Sequence, residues 1–276
     1  MIINVAHPEP APDGGAQLVR QWDPAVAPQG DVVLVHGLGE HSGRYARTGS
    51  LLAEAGLKVR SFDLLGFGAS SGGRGDVARW SLYLDQVEQS LRAARTPGRP
   101  LILLGHSMGG LIALEYALSE RLQPDLLVLS APAIGGGRAW QRNMAPVVGR
   151  MFPTLKMPTA IRGDQLSRDP AVGEAYFADP LVLTKATTRM GALIFSAQDR
   201  VLANLDRLNI PTLVIHGATD TVVPTDSTGL LGDLPGVERR VLSELRHETF
   251  NEPEGPEVIA GIVDWIRARS PSDTAT

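Results

Sequence analysis

The chain contains no cysteine. That excludes a disulfide framework, a thiolate nucleophile and a thiolate-held metal, and it leaves the redox compartment unreadable. Long apolar runs are missing too: no stretch approaches the ~20 residues that a bilayer-spanning helix requires. The first residues, MIINVAHPEPAPDGG, lack a basic start followed by an apolar block, so no secretory leader is expected. The default address is cytoplasmic, with peripheral membrane contact left open. Basic charge is scattered. Against 30 Asp and Glu stand 26 Lys and Arg, a net charge of -4, and nowhere do they cluster into a phosphate-binding stripe. Nucleic acid is thereby set aside as a partner, and nothing calls for an obligatory protein partner. What is present is a 276-residue chain, 43% hydrophobic, long enough to bury a sizeable core as one large domain or as a domain with an insertion.

Short apolar runs recur along it. Asp31–Val35, Lys58–Phe62, Leu101–Leu104, Leu126–Leu129 and Thr212–Ile215 read as strands, with Gln17–Trp22 and Val237–Leu242 added at either end. Continuous apolarity, rather than alternation, indicates strands covered on both faces. Between them lie helical patterns: a stretch closing at Leu51–Ala55, Ser81–Arg95 with Leu84, Val87, Leu91 and Ala94 on one stripe, a segment from Gly109 to about Arg121, and a final helix carrying Val258, Ile259, Ile262, Val263 and Ile266. Strand–helix alternation predicts an α/β fold with a mostly parallel, doubly wound sheet. It breaks once, between Pro132 and Asp199, where about 65 residues with a Gly135–Gly137 run are too long for an ordinary connection. The expected organisation is a core of residues 1–132 and 199–276 and a cap, or lid, of residues 133–198.

Gly105-His106-Ser107-Met108-Gly109-Gly110 sits between an apolar strand and a helix. A sharp strand-to-helix turn forces such a serine into a strained backbone and lifts its hydroxyl above the sheet, while side chains at 105 and 109 would collide where strand and helix cross. The bland alternative is a turn with glycine for packing only. Ser107 as a nucleophile needs a base and a group that fixes the base's tautomer. In a fold of this kind the chain order is serine, acid, histidine. His247, alone downstream of His216, is the candidate base. Asp220, just past the strand ending at Ile215, is the candidate acid, with Asp226 as rival at an apparent helix start. An oxyanion needs two aimed backbone N–H groups; Met108 and Leu38, the latter in His36-Gly37-Leu38-Gly39, are the candidates. Gly37 and Glu40 beside that loop, and Met151 and Phe152 in the insertion, are candidate substrate contacts. His36 is expected to order the loop, His106 to pack beneath the serine, His216 to be structural, and His7 and His41 to be solvated or loop-stabilising.

The combination of HGLGEHSGRY at 36–45, Asp63-x-x-Gly66-x-Gly68-x-Ser70, GHSMGG at 105–110, LSRDPAVGEAYFADPLV in the insertion, His216-Gly217-x-x-Asp220-x-x-Val223-Pro224 and His247-Glu248-x-Phe250-Asn251-Glu252-Pro253 resembles the monoacylglycerol lipase branch of the α/β-hydrolases, bacterial members included. The resemblance spans nearly the whole chain. It implies Ser107, Asp220 and His247 as catalytic triad, the amides of Leu38 and Met108 as oxyanion hole, and a lipid small-molecule substrate cleaved by water with neither metal nor organic cofactor. It departs from mammalian relatives in having no cysteine near the site. Apolar groups of the cap, among them Val147, Val148, Met151, Phe152, Leu155 and Met157, are expected to line an acyl tunnel or to touch a membrane peripherally. The alternatives are a lysophospholipase, a general carboxylesterase or a peptidase of the same fold, and an inactive hydrolase scaffold used for binding.

Overall fold

The computed structural model describes residues 3–270. An eight-stranded sheet runs in the order β1-β2-β4-β3-β5-β6-β9-β10. Its strands are β1 (Ile3–Pro10), β2 (Ala16–Asp23), β3 (Gly30–Val35), β4 (Leu57–Phe62), β5 (Leu101–His106), β6 (Leu126–Ser130), β9 (Thr212–Gly217) and β10 (Val237–Leu242). From β4 to β10 every pairing is parallel, whereas β1 and β2 form an antiparallel hairpin whose second strand runs antiparallel to β4. Helices α1 (Ala46–Glu54), α2 (Ser81–Ala94), α3 (Met108–Ala117), α8 (Gly229–Gly232) and α9 (Gly255–Arg267) belong to this core.

The continuous apolar runs are explained by the two faces they serve. Val33 and Val35 of β3, Leu101 and Leu103 of β5, and Leu127 and Leu129 of β6 pack with α2 and α3 in one cluster. Their neighbours Val32, Leu34, Ile102, Leu104, Leu126 and Val128 point the other way, into a cluster with Leu52 of α1 and Ile259, Ile262, Trp265 and Ile266 of α9. A strand with period-two geometry and helices on both sides has no solvated face, hence no polar alternation.

Two features differ from the sequence expectation. The hairpin strand β1 lies where the sequence shows only a polar, proline-containing start. It is the sheet edge, where Pro8 and Pro10 cost no interior ladder bond, so its residues carry no strand-like signature. Between β6 and β9 come α4 (Ala139–Met151), β7 (Lys156–Pro158), α5 (Gly163–Leu166), α6 (Pro170–Ala178), β8 (Lys185–Thr187) and α7 (Thr188–Leu202), with β7 and β8 paired antiparallel. Helix α7 crosses residue 198, and its Met190, Ala197 and Val201 join the same apolar cluster as α3. The break in alternation marks where the core pattern stops, but a helix that packs on both layers has no sequence signal for a boundary.

Candidate active site

Sheet register brings the site together. Val35 pairs with Gly105, His106 with Ser130, and Ser130 with Ile215, so the loops after β3, β5 and β9 leave the sheet side by side at its carboxyl edge. Loops at that edge of an open α/β sheet line its crevice.

Ser107 occupies the turn between β5 and α3 with φ 53 and ψ -118, a left-handed backbone that a non-glycine residue adopts only where its surroundings impose it. The surroundings do so. A Cβ at Gly105 would stand 2.3 Å from the Gly109 carbonyl oxygen, and one at Gly109 would stand 2.2 Å from that of Val35. Strand and helix thus cross at backbone contact, and the Ser107 amide and carbonyl are held by Ser130 and by Leu111 and Ala133.

His247, in the loop after β10, faces the Ser107 Oγ through Nε2 at 3.0 Å, and its Nδ1 stands 2.7 Å from Asp220 Oδ2. A carboxylate only accepts, so Nδ1 carries the proton and Nε2 is left with its lone pair toward the hydroxyl. Asp220 Oδ1 accepts from the amides of Val222 and Val223 at 2.8 and 2.9 Å. Burial pushes the Asp220 carboxyl up, but the donors His216, His247 and the Val223 amide outweigh it and hold the group well below the usual carboxylate range. The rival Asp226 is exposed on a 3-10 turn.

The loop after β3 is ordered from three sides. His36 Nε2 accepts from the Leu64 amide (2.9 Å), so its Nδ1–H donates to the Gly37 carbonyl (2.8 Å). Glu40 Oε1 accepts from the Gly37 amide (2.7 Å) and the Tyr45 hydroxyl (2.6 Å), and Oε2 from Arg44 (2.7 Å). The Gly39 carbonyl accepts from Leu183 of the cap (2.7 Å). The Leu38 amide enters none of the described hydrogen bonds, and Met108 contributes the first amide of α3, which by helix geometry has no intrahelical acceptor.

Sequence reasoning missed a buried ion cluster on this loop. Arg44 bonds Glu40 and, with both terminal nitrogens, Glu248 at 2.7 and 2.9 Å, while its guanidinium lies 4.7 Å from the centre of the Tyr176 ring of α6. Burial raises the Glu40 carboxyl, yet Arg44, with His106, His36 and the Tyr45 hydroxyl, brings it down to about 2. The i, i+4 spacing of Glu40 and Arg44 was a visible signal; Glu248, distant in the chain, offered none.

The remaining expectations land as follows. Gly37 lines the cleft at the site, as does Glu40. The Glu40 oxygens are committed to Gly37, Tyr45 and Arg44, so Glu40 also orders the loop that it lines the cleft from. Met151 and Phe152 do not line the cleft; they end α4 at 65% and 56% exposure, because that helix turns its apolar stripe outward. His106 lies beneath the serine, Nδ1 at 3.1 Å from Ser130 Oγ and ring centre 4.8 Å from that of His247; burial, with His247 alongside, lowers it to about 4, so it is neutral. His7 is partly exposed against Glu9. His41 is buried and loop-stabilising rather than solvated: its Nδ1 accepts from the Gly43 amide at 3.2 Å, and its Nε2–H donates to Asp179 Oδ2 of the insertion at 2.9 Å. His216 is buried beside Asp220.

The cleft above Ser107 has a volume of about 280 Å³ and is walled by Leu38, Met108, Ile161, Ile194, Phe195 and Val223 with the Gly135–Gly137 run. A strand–elbow–helix serine, facing an imidazole that a carboxylate orients, at the carboxyl edge of a mostly parallel sheet, is the arrangement of an α/β-hydrolase. The chain belongs to that class through the family described as serine aminopeptidase, S33, whose model matches residues 26–254. It is 34% identical over 263 residues to the monoacylglycerol lipase of Mycolicibacterium smegmatis, covering 92% of this chain and 94% of that one. It is 30% identical to the human monoglyceride lipase, covering 96% and 89%. Among solved structures it matches the monoacylglycerol lipase of Paleococcus ferrophilus with a TM-score of 0.83 at 30% identity, over 91% of this chain and 98% of that one.

Proposed function

We propose that the chain hydrolyses monoacylglycerols to glycerol and a free fatty acid. The observation that carries this reading is the unbroken line Ser107 Oγ, His247, Asp220 at the floor of an apolar, cap-roofed cleft. Ser107 attacks the ester carbonyl while His247 Nε2 takes its proton, and Asp220 stabilises the imidazolium. The amides of Leu38 and Met108 receive the oxyanion. Glycerol leaves with the proton from His247; water then repeats the sequence on the acyl-enzyme.

The cleft favours this substrate over its neighbours in chemistry. Its walls of Leu38, Met108, Ile161, Ile194, Phe195 and Val223 are apolar enough for an acyl chain, and a volume of about 280 Å³ leaves no room for a second one. Its two lining carboxylates, Glu40 and Glu248, are both held by Arg44, so no uncommitted anion meets a choline or a peptide amino terminus. Comparing hydrolysis of monoolein, diolein, lysophosphatidylcholine and p-nitrophenyl butyrate tests this. The expected kcat/KM for monoolein exceeds those for diolein and lysophosphatidylcholine by roughly tenfold or more, the scale by which a misfitting group is discriminated. Faster lysophosphatidylcholine turnover would transfer the assignment to a lysophospholipase.

No helix among the described residues is long and apolar enough to cross a membrane. We read the cap as a peripheral contact. Trp140, Met144, Val147 and Met151 recur at helical spacing along α4 and are each about half exposed or more, with Phe152, Leu155 and Met157 beside them. An apolar patch of this kind marks an interaction surface, and the substrate is itself a membrane lipid in form. Flotation with phosphatidylcholine liposomes is the check. Co-flotation is expected, and Trp140→Glu with Met144→Glu should abolish it while sparing p-nitrophenyl butyrate hydrolysis. Absence of flotation at every lipid composition would exclude the contact.

A further inference from the structure

Asp220 receives a donor that the scheme above does not use. Its Oδ2, already bonded to His247, lies 3.1 Å from Nε2 of His216, which is the next-to-last residue of β9 and is fully buried. That Nε2 also stands 3.0 Å from the Val223 carbonyl oxygen. Both neighbours only accept, so the Nε2 of His216 must carry a proton and be shared between them. On its other side Nδ1 meets Thr228 Oγ1 at 3.1 Å, and that oxygen accepts from Arg239 Nε at 3.1 Å. The Thr228 hydroxyl donates its hydrogen to the Thr225 carbonyl oxygen at 2.9 Å, so the ring is fixed with Nε2–H toward the carboxylate by the two acceptors at Nε2 and not by Thr228.

The consequence concerns the position of one oxygen. The Val222 and Val223 amides hold only Oδ1. Without His216, Oδ2 would have His247 as its single donor and would be free to pivot about the Oδ1 anchor. A buried carboxylate with an unmet lone pair also gains proton affinity, which draws the His247 proton toward it when the imidazolium forms. We propose that His216 is a positioning residue of the hydrolysis, its Nε2–H fixing Asp220 Oδ2 against His247 and keeping the proton on the imidazole during attack. The proton count is unchanged: Ser107 loses one, His247 gains one, and His216 holds its own throughout.

This inference rests on the serine hydrolase reading, and the experiment separates the two. Labelling of the wild-type chain by a fluorophosphonate tests the reading itself. The inference is tested by two variants of equal polarity. In His216→Gln the side-chain amide nitrogen replaces Nε2 and can donate to Asp220. In His216→Asn it replaces Nδ1, reaching Thr228 but not Asp220. The expected result is a kcat about ten- to thirtyfold lower in the Asn variant, the low end for a lost hydrogen bond to a charged group, with KM within about twofold. The Gln variant should recover most of that loss at a similar melting temperature. Equal losses in both variants, in step with their melting temperatures, would make His216 merely structural, and full activity in the Asn variant would equally overturn the proposal. A measurement on the unaltered chain covers failure of either variant to fold. Histidine-selective ¹⁵N spectra should show His216 protonated on Nε2, with that N–H signal shifting when the fluorophosphonate occupies Ser107. An Nδ1–H tautomer, or a signal that does not move, would refute it.

Discussion

Ser107→Ala is expected to lower kcat/KM on monoolein by about 10⁴- to 10⁶-fold, with the fold intact. The two halves of this expectation have separate physical grounds. In the proposed mechanism the hydroxyl forms the covalent intermediate, so activity should fall to what the cleft's binding and the amides of Leu38 and Met108 achieve with water alone. Stability does not fall, because alanine keeps the Cβ and thus adds no strain to the φ of 53 that serine already bears. Ser107 Oγ makes its described bond only to His247 at 3.0 Å, at the floor of the cleft, so its removal leaves no deeply buried donor stranded. The melting temperature should stay within about 2 °C, where a 1 kcal/mol change would itself move a chain of this size by ~2–4 °C. Fluorophosphonate labelling should disappear with activity. Ester hydrolysis above about one hundredth of wild type would show that another group performs the attack, since removal of the nucleophile leaves far less.

How much of this was legible depended on whether the determinant was local. The elbow was readable because Gly105 answers a collision within one strand–helix unit, at the Gly109 carbonyl, while Gly109 answers a second one, against the Val35 carbonyl of the neighbouring β3. Asp220 and His247 followed from chain order, since each lies in the loop after a strand whose register delivers it to one edge. The apolar runs of β3, β5 and β6 announced a two-faced sheet because every residue in them had somewhere to pack. What failed to show was contact between distant segments. Arg44 meets Glu248 across 204 positions, and His41 meets Asp179 across 138. The outward turn of Met151 and Phe152 was equally hidden, for an apolar stripe on a helix reads alike whether it faces a tunnel or solvent. His216 lies four residues before Asp220, but only the bend after β9 turns its ring back onto the carboxylate.

Arg44→Met is expected to cost about 3–5 kcal/mol of stability at pH 8 and roughly a hundredfold in kcat/KM, the largest effect of any substitution outside the three aligned groups. Methionine fills the space but leaves Glu40 and Glu248, both buried, without their shared cation. The loss of rate has a path. Glu40 positions the Gly37 amide next to Leu38, and Glu248 follows His247 directly, so the loop proposed to receive the oxyanion and the proposed base are both released from a common anchor. The sign with pH distinguishes this from a simple packing defect. In the wild type, burial is the largest single influence and raises Glu40, but Arg44, the histidines His106 and His36 and the Tyr45 hydroxyl together outweigh it, and the folded value of about 2 lies below the ordinary 4.5. Glu40 therefore contributes stability that is complete above about pH 4.5 and is lost only as pH falls through about 2. With Arg44, the strongest of those opposing groups, removed, burial is expected to dominate and to raise the folded value above the unfolded one. The variant then binds protons on folding and gains stability as pH falls through that raised value. Thermal denaturation at pH 8 and pH 5 reads the difference: the gap in melting temperature between wild type and Arg44→Met should narrow at the lower pH. A gap of the same size at both values would mean that lost volume, and not two uncompensated carboxylates, sets the damage.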